Sequence, residues 1–231
     1  MPIVIAHRGA SAAAPENTVE AFRLAAELGA DWVELDARRT ADGAIVVAHD
    51  AHLPDGRAIV DLKRADLPRG ICDLDEALDA CAGMGVNIEI KNVPVDPDHD
   101  ERQRVAIAVV AELARRGAEA PPVIVSSFSR PTIDRIFELD GNVPTAYLFF
   151  ARPDDLPALA QSVSHGGHDA LHPWDGLVDA ELVAAAHDEG LAVNVWTVDD
   201  PARMADLLAL GVDGLCTNVP DIARHVVGDP R

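Results

Sequence analysis

The sequence predicts an α/β chain closed into a (β/α)8 TIM barrel, and three observations carry that prediction. Short β-type runs alternate with amphipathic helical stretches from one end to the other, and eight such pairs can be counted. The 231 residues, 48% of them hydrophobic, suffice for one large core. No linker, repeat or low-complexity tract interrupts the array, so residues 1–231 are expected to form a single domain. An open doubly wound sheet shares the alternation, but eight pairs in this length fit closure better. Closure also makes a functional statement, because residues at the carboxyl ends of the strands then converge on one site.

Composition narrows the partners. A formal charge of -20 argues against a nucleic-acid or anionic-membrane surface, both of which attract Lys/Arg patches and repel this field. Any anionic small molecule therefore needs a locally positive pocket, and the only lysines are Lys63 and Lys91. Cys72, Cys81 and Cys216 are odd in number and lack metal-type spacing, so reduced thiols are expected. The first residues, Met1 to Gly9, show no basic leader followed by a long apolar stretch, and no run reaches the ~18 apolar residues of a membrane span. A cytoplasmic protein without stable membrane association is the expectation, and no signal bears on oligomeric state.

The elements follow in order. The first strand, 3–6, is apolar and ends in His7-Arg8-Gly9, which places an ionisable pair and a flexible glycine where the strand stops. That placement suits a catalytic base beside a phosphate ligand. Pro15-Glu16-Asn17-Thr18 reads as a helix start near Asn17, with Asn17 or Thr18 capping. In the second strand, 32–37, Glu34 and Asp36 are two apart, so the pleat turns both carboxylates to one face and Val33 and Leu35 to the other. Two carboxylates inside a barrel are costly to bury uncompensated, and a divalent cation is the natural compensation. Hard oxygen ligands favour Mg2+ or Ca2+ over Zn2+, with Mn2+ as a further candidate.

Asp42-Gly43, between two β-type runs, is a two-residue hairpin signal. With that pair as the tip, Ala41 faces Ala44, Arg39 faces Val46 and Asp36 comes opposite His49, which returns His49 to the metal site. A short irregular excursion over residues 51–72, marked by Pro54, Asp55-Gly56 and Pro68, then leads to a helix near Asp73. The third barrel strand, 87–90, alternates so that Asn87, Glu89 and Lys91 share a face. Glu89 supplies a third carboxylate, and Lys91 with Arg8 supplies the positive charge a phosphate requires.

A helix is expected near Asp98, a fourth strand at 123–126 ending in Ser126-Ser127-Phe128, and a helix from Arg130. Strand 145–149 and a helix near Pro153 follow, then strand 170–172, ending in His172-Pro173-Trp174, and a helix near Val178. The seventh strand, 192–197, turns Asn194 and Trp196 to one side, where Trp196 can wall a pocket shaped for glycerol or another alcohol. Phe128 lies at the same end, although core packing accounts for it better, and accounts for Trp196 about as well. A helix from Pro201, strand 214–216 and a helix from Val219 complete the array. His52, His99, His165, His168, His187 and His225 read as surface or helix positions without a role.

Taken in order, His7-Arg8-Gly9, Pro15-Glu16-Asn17-Thr18, Glu34-Leu35-Asp36, His49-Asp50, Glu89-Ile90-Lys91, Ser126-Ser127-Phe128, Trp196-Thr197-Val198 and Asp213-Gly214 make the chain resemble the glycerophosphodiester phosphodiesterase family over nearly its whole length. The resemblance implies a (β/α)8 barrel, a Mg2+ or Ca2+ site on Glu34, Asp36 and Glu89, catalytic His7 and His49, and phosphate contacts from Arg8 and Lys91. It implies as well that Glu16 and Asn17 belong to the site, Glu16 supporting the histidines or the metal shell. The substrate it implies is a small-molecule phosphodiester, cleaved to sn-glycerol 3-phosphate and an alcohol. Attack by a glycerol hydroxyl, through a cyclic phosphate, and direct attack by water both stay open.

Two departures from the family pattern stand out. Many members carry a larger insertion after the His-Asp pair, often opening with an Arg-Thr-Thr type segment, where this chain reads Ala51-His52-Leu53-Pro54-Asp55-Gly56. Head-group preference is therefore open, and a different head group or a lysolipid is an alternative. The usual Thr-Asp before the last proline reads Thr217-Asn218-Val219-Pro220, a change expected to leave the chemistry untouched. A non-catalytic barrel that binds phosphorylated ligands is the alternative of another class; the full set of carboxylates and both histidines speaks against it.

Overall fold

The computed structural model describes residues 1–228. Strand β1 (Ile3–His7) leads to helix α1 (Val19–Glu27), strand β2 (Trp32–Arg39) and the short β3 (Ile45–Val47), then α2 (Leu74–Ala80), β4 (Gly85–Ile90) and α3 (Arg104–Arg116). The second half runs β5 (Val123–Ser127), α4 (Arg130–Leu139), β6 (Thr145–Phe149), α5 (Leu156–His165), β7 (Ala170–Pro173), α6 (Ala180–Asp188), β8 (Ala192–Val195), α7 (Pro201–Leu210), β9 (Gly214–Thr217) and α8 (Pro220–Val227). Parallel pairing runs in the order β1-β9-β8-β7-β6-β5-β4-β2, and β1 also pairs with β2, so the sheet closes on itself. The expected (β/α)8 barrel is the fold, with β3 attached to β2 as an antiparallel arm.

Strand alternation builds two environments from one sequence. Val33, Leu35, Val86 and Ile88 pack outward with Phe22 and Leu78 of the helix layer in one buried cluster, and Leu171, Val193 and Leu215 do the same with Leu182 and Met204 in a second. The intervening residues of β2 and β4 face inward, and parallel register places His7 level with Glu34, Glu34 with Asn87, and Asp36 with Glu89. Gly9 is set by packing as well as by the turn. Its φ is +82°, and a Cβ there would sit 2.6 Å from the backbone carbon of Ala21 on α1.

Most helices begin where an acidic or hydroxyl side chain accepts from the N3 amide: Thr18, Asp73, Asp155, Asp179 and Asp200 all do so. Asp155 and Asp179 thereby set α5 and α6 slightly later than Pro153 and Val178. Asn17 is no cap; its φ is +57° and its side chain turns into the barrel. The helix expected near Asp98 starts only at Arg104, because Asp98 is drawn to Arg38 by two 2.8 Å hydrogen bonds and Asp100 accepts from the Arg102 and Arg104 amides. Strand β8 stops at Val195, two residues short of the expected end, and Trp196 keeps only an isolated bridge to Trp174.

The hairpin register differs by one residue from expectation. Ala37 pairs with Val47, Arg38 with Val46 and Arg39 with Ile45. Thr40 Oγ1 donates to Asp42 Oδ1 at 2.7 Å, the Thr40 amide donates to Ala44 O at 3.0 Å, and Gly43 takes φ +87°. The tip is thus a three-residue loop closed by a left-handed glycine rather than a two-residue turn. Ala48, not His49, comes opposite Asp36, donating its N–H to the Asp36 carbonyl at 2.9 Å. Residues 51–72 form the excursion, with two short 3-10 turns (Ile59–Asp61 and Arg64–Asp66) over a small cluster of Val46, Leu53, Ile59 and Leu67.

Candidate active site

At the carboxyl end of the barrel, one oxygen each from Glu34, Asp36 and Glu89 lies within 4.8 Å of the others, and all three side chains are buried. Two cations face them. Lys91 Nζ hydrogen-bonds Glu89 Oε1 at 2.5 Å and stands 2.9 Å from Asp36 Oδ1. Arg8 Nε lies 3.2 Å from Asp36 Oδ2, its Nη1 pairs with Glu16 at 3.0 Å, and its backbone amide donates to Glu34 Oε2 at 2.9 Å. Asn17 supports Asp36 from beneath, Nδ2 donating to Oδ2 at 2.7 Å while Oδ1 accepts from the Asp36 amide at 3.3 Å.

Three carboxylates against two cations leave negative charge in excess, and Glu34 Oε1 is buried without a hydrogen-bond partner among the described residues. Burial, then the neighbouring Asp36 and Glu89 carboxylates, push Glu34 well above the ordinary carboxylate range. Burial likewise raises Glu89, against the pull of Lys91. Burial would raise Asp36 too, but Lys91 and Arg8 outweigh it and hold that carboxyl low. An all-oxygen set with excess negative charge and an orphaned oxygen fits a hard divalent cation.

The histidines occupy different settings. His7 lies at the barrel mouth with Nδ1 2.8 Å from Asn218 Oδ1, and burial, then Arg8, lower its pKa. His49 is partly exposed, its Nδ1 2.8 Å from Asp50 Oδ1 and its carbonyl accepting from Arg38 Nε at 2.9 Å. His7, Glu34, Asn87, Glu89, Asn194 and Trp196 line a small inner cavity of about 20 Å³. Outside it opens a cavity of about 770 Å³ whose walls include His49, Asp50, Lys91, Asp96, Phe128 and Phe150. The rings of Phe128 and Trp196 meet edge to face at 5.5 Å, so these aromatics stand between the two cavities.

The model of the glycerophosphoryl diester phosphodiesterase family matches residues 7–222. The chain belongs to this family. It is therefore a phosphoric diester hydrolase, and relatives agree along its length. A glycerophosphodiester phosphodiesterase of Caldanaerobacter subterraneus is 30% identical over 249 residues, covering 97% of each chain. One from Bacillus subtilis is 28% identical over 254 residues, covering 97% of this chain and 86% of the relative. An Oleispira antarctica phosphodiesterase, solved in complex with the product sn-glycerol-3-phosphate, superposes with a TM-score of 0.88 at 27% identity, over 98% of this chain and 97% of that one.

The structure gathers Arg8, Glu34, Asp36, Glu89 and Lys91 into one cluster, with His7 at its rim, Glu16 on Arg8 and Asn17 under Asp36. His49, Phe128 and Trp196 line the cavities. Arg38, which the sequence does not single out, continues the inward row of Glu34 and Asp36; it ties Asp98, Asp96 and the His49 carbonyl together. His52 lines the outer cavity, and His168 is buried between Thr145 and Asp134 rather than at the surface. Asn218, a departure from the family pattern, holds the ring of His7. Its place one residue past β9, at the catalytic end, was the available signal.

Proposed function

We propose that this phosphodiesterase hydrolyses glycerophosphodiesters to sn-glycerol 3-phosphate and an alcohol, with Mg2+, Ca2+ or Mn2+ held by Glu34, Asp36 and Glu89. The observation that carries this reading is the convergence of three buried carboxylates at the mouth of a barrel, where Arg8 and Lys91 are their close counter-charges among the described residues. A divalent cation there would supply positive charge to the phosphodiester oxygens. Arg8 and Lys91 add fixed positive charge beside it. Of His7 and His49, one takes the proton of the attacking hydroxyl and the other gives one to the departing oxygen. The product in the Oleispira relative supports sn-glycerol 3-phosphate as the product here.

The outer cavity takes the alcohol portion. Leu53, Pro54, Val93, Phe128 and Phe150 give it an apolar side, so an apolar extension such as a lysolipid chain is the second reading. Turnover of glycerophosphocholine, glycerophosphoethanolamine, glycerophosphoinositol and a lysolipid ranks the two. The primary test is release of sn-glycerol 3-phosphate before and after EDTA, with add-back of each cation. Loss on chelation and recovery on add-back are expected. Turnover indifferent to EDTA would remove the cation from the proposal.

A further inference from the structure

His7 has a single side-chain hydrogen-bond partner among the described residues, Asn218, whose Oδ1 lies 2.8 Å from Nδ1. The sense of that amide is decided one residue further out. Asp199 Oδ1 accepts from the Asn218 backbone amide at 2.8 Å and from Thr217 Oγ1 at 3.0 Å, and Asp199 Oδ2 accepts from Asn218 Nδ2 at 2.7 Å. An ionised carboxylate only accepts, so the Asn218 amide turns its NH2 to Asp199 and its oxygen to His7. An oxygen at that place requires a proton on Nδ1, and the neutral ring then carries its lone pair on Nε2. Ser11 Oγ, 2.7 Å from the same Oδ1 and 2.8 Å from the His7 carbonyl, closes the corner, but a hydroxyl satisfies either sense of the amide and does not choose between them.

We propose that Asp199 and Asn218 are positioning residues that lock His7 as its Nδ1–H tautomer and leave Nε2 as the nitrogen free to accept a proton. The proposal rests on the reading of His7 as a proton-transfer group. It gives a use to the amide at position 218, where the family pattern has Asp: the carboxylate stands at 199 instead, and a neutral amide carries its preference inward to the ring. Asp199 thus acts on His7 without touching it. Exchanging the two residues would keep one carboxylate and one amide in line, with the carboxylate now accepting directly from Nδ1–H and from the new amide at 199. Replacing either residue alone breaks the chain, since Asp199→Asn frees the amide at 218 to flip and Asn218→Asp sets two carboxylates face to face.

The test is 15N NMR of the histidine-labelled full chain above the titration of its rings, His7 being assigned by its loss in His7→Gln, together with steady-state kinetics. The wild type is expected to show His7 protonated on Nδ1, against the preference of a free imidazole side chain. Asp199→Asn should move the proton to Nε2 in part or whole and lower kcat by about 10²-fold with KM changed by less than about twofold. The double exchange Asp199→Asn with Asn218→Asp should restore both the tautomer and most of kcat. An Nε2–H ring in the wild type overturns the proposal, as does an Asp199→Asn enzyme with unaltered tautomer and rate. A double variant no better than the single one does so too. Full turnover by His7→Gln would instead refute the role given to His7, while the tautomer still decides the relay; the wild-type spectrum needs only the assignment variant, His7→Gln, to fold.

Discussion

Glu34 sits against two other carboxylates with one oxygen, Oε1, buried and without a hydrogen-bond partner among the described residues, so its charge works against the cation-free fold. Glu34→Gln keeps the volume and the hydrogen bond from the Arg8 amide while removing that charge. In EDTA the variant should melt higher than wild type, by an amount worth about 1–2 kcal/mol. Turnover should fall by at least about 10²-fold. Opposite signs on stability and activity mark a residue kept for binding; differential scanning calorimetry beside a product assay measures both, and a variant that melts lower would mean the charge is already compensated. His7→Ala and His49→Ala should each cost about 10²- to 10⁴-fold in kcat, the range for losing a general acid or base. A full-rate His49→Ala enzyme would take that histidine out of the chemistry.

Between residues and fold stand the loops that follow the strands. Gly9→Ala would drive a Cβ into Ala21 of α1 at a φ of +82°, and a loss of about 2–4 kcal/mol is expected, seen as a lower urea midpoint. Arg38→Lys keeps the charge but gives up the paired bonds to Asp98 and the one to the His49 carbonyl. Faster amide exchange in residues 92–101 and a kcat lower by about tenfold are the outcomes to look for. The strands were legible because alternation is a property of sequence alone: Glu34 and Asp36 face inward whatever surrounds them. The hairpin was not, because Asp42-Gly43 signals a turn without saying that Thr40 Oγ1 will bond Asp42 and lengthen the tip, and one residue of slip moved Ala48 into the place expected for His49. The bonds of Asp98 and Asn218 were not legible for a related reason. Their partners, Arg38 and His7, are 60 and 211 residues away, and no local pattern encodes a bond across that distance.

At the scale of the whole molecule, stability, proton binding and cation binding become one measurement. Burial first, and then neighbouring carboxylates, raise Glu34 and Glu89 above their unfolded value of 4.5, so without a cation the folded state holds their protons more tightly than the unfolded one. Their contribution is complete below 4.5 and is lost as pH rises through the folded values. His172 acts at the other end: burial pushes it from 6.5 to about 3, so its contribution is complete above 6.5 and is lost as pH falls toward 3. A cation bound to Glu34, Asp36 and Glu89 favours their ionised forms and binds only the folded chain, which relieves the alkaline loss and leaves the acid one in place. The increase in melting temperature on adding millimolar Mg2+ or Ca2+ should therefore grow from about pH 5 to about pH 8, and Glu34→Gln should flatten that dependence. His172→Gln should instead reduce the loss of stability on acidification while leaving the cation response as it was. An increase in melting temperature that is the same at both pH values, or that survives Glu34→Gln with its full slope, would place the cation somewhere other than on these carboxylates.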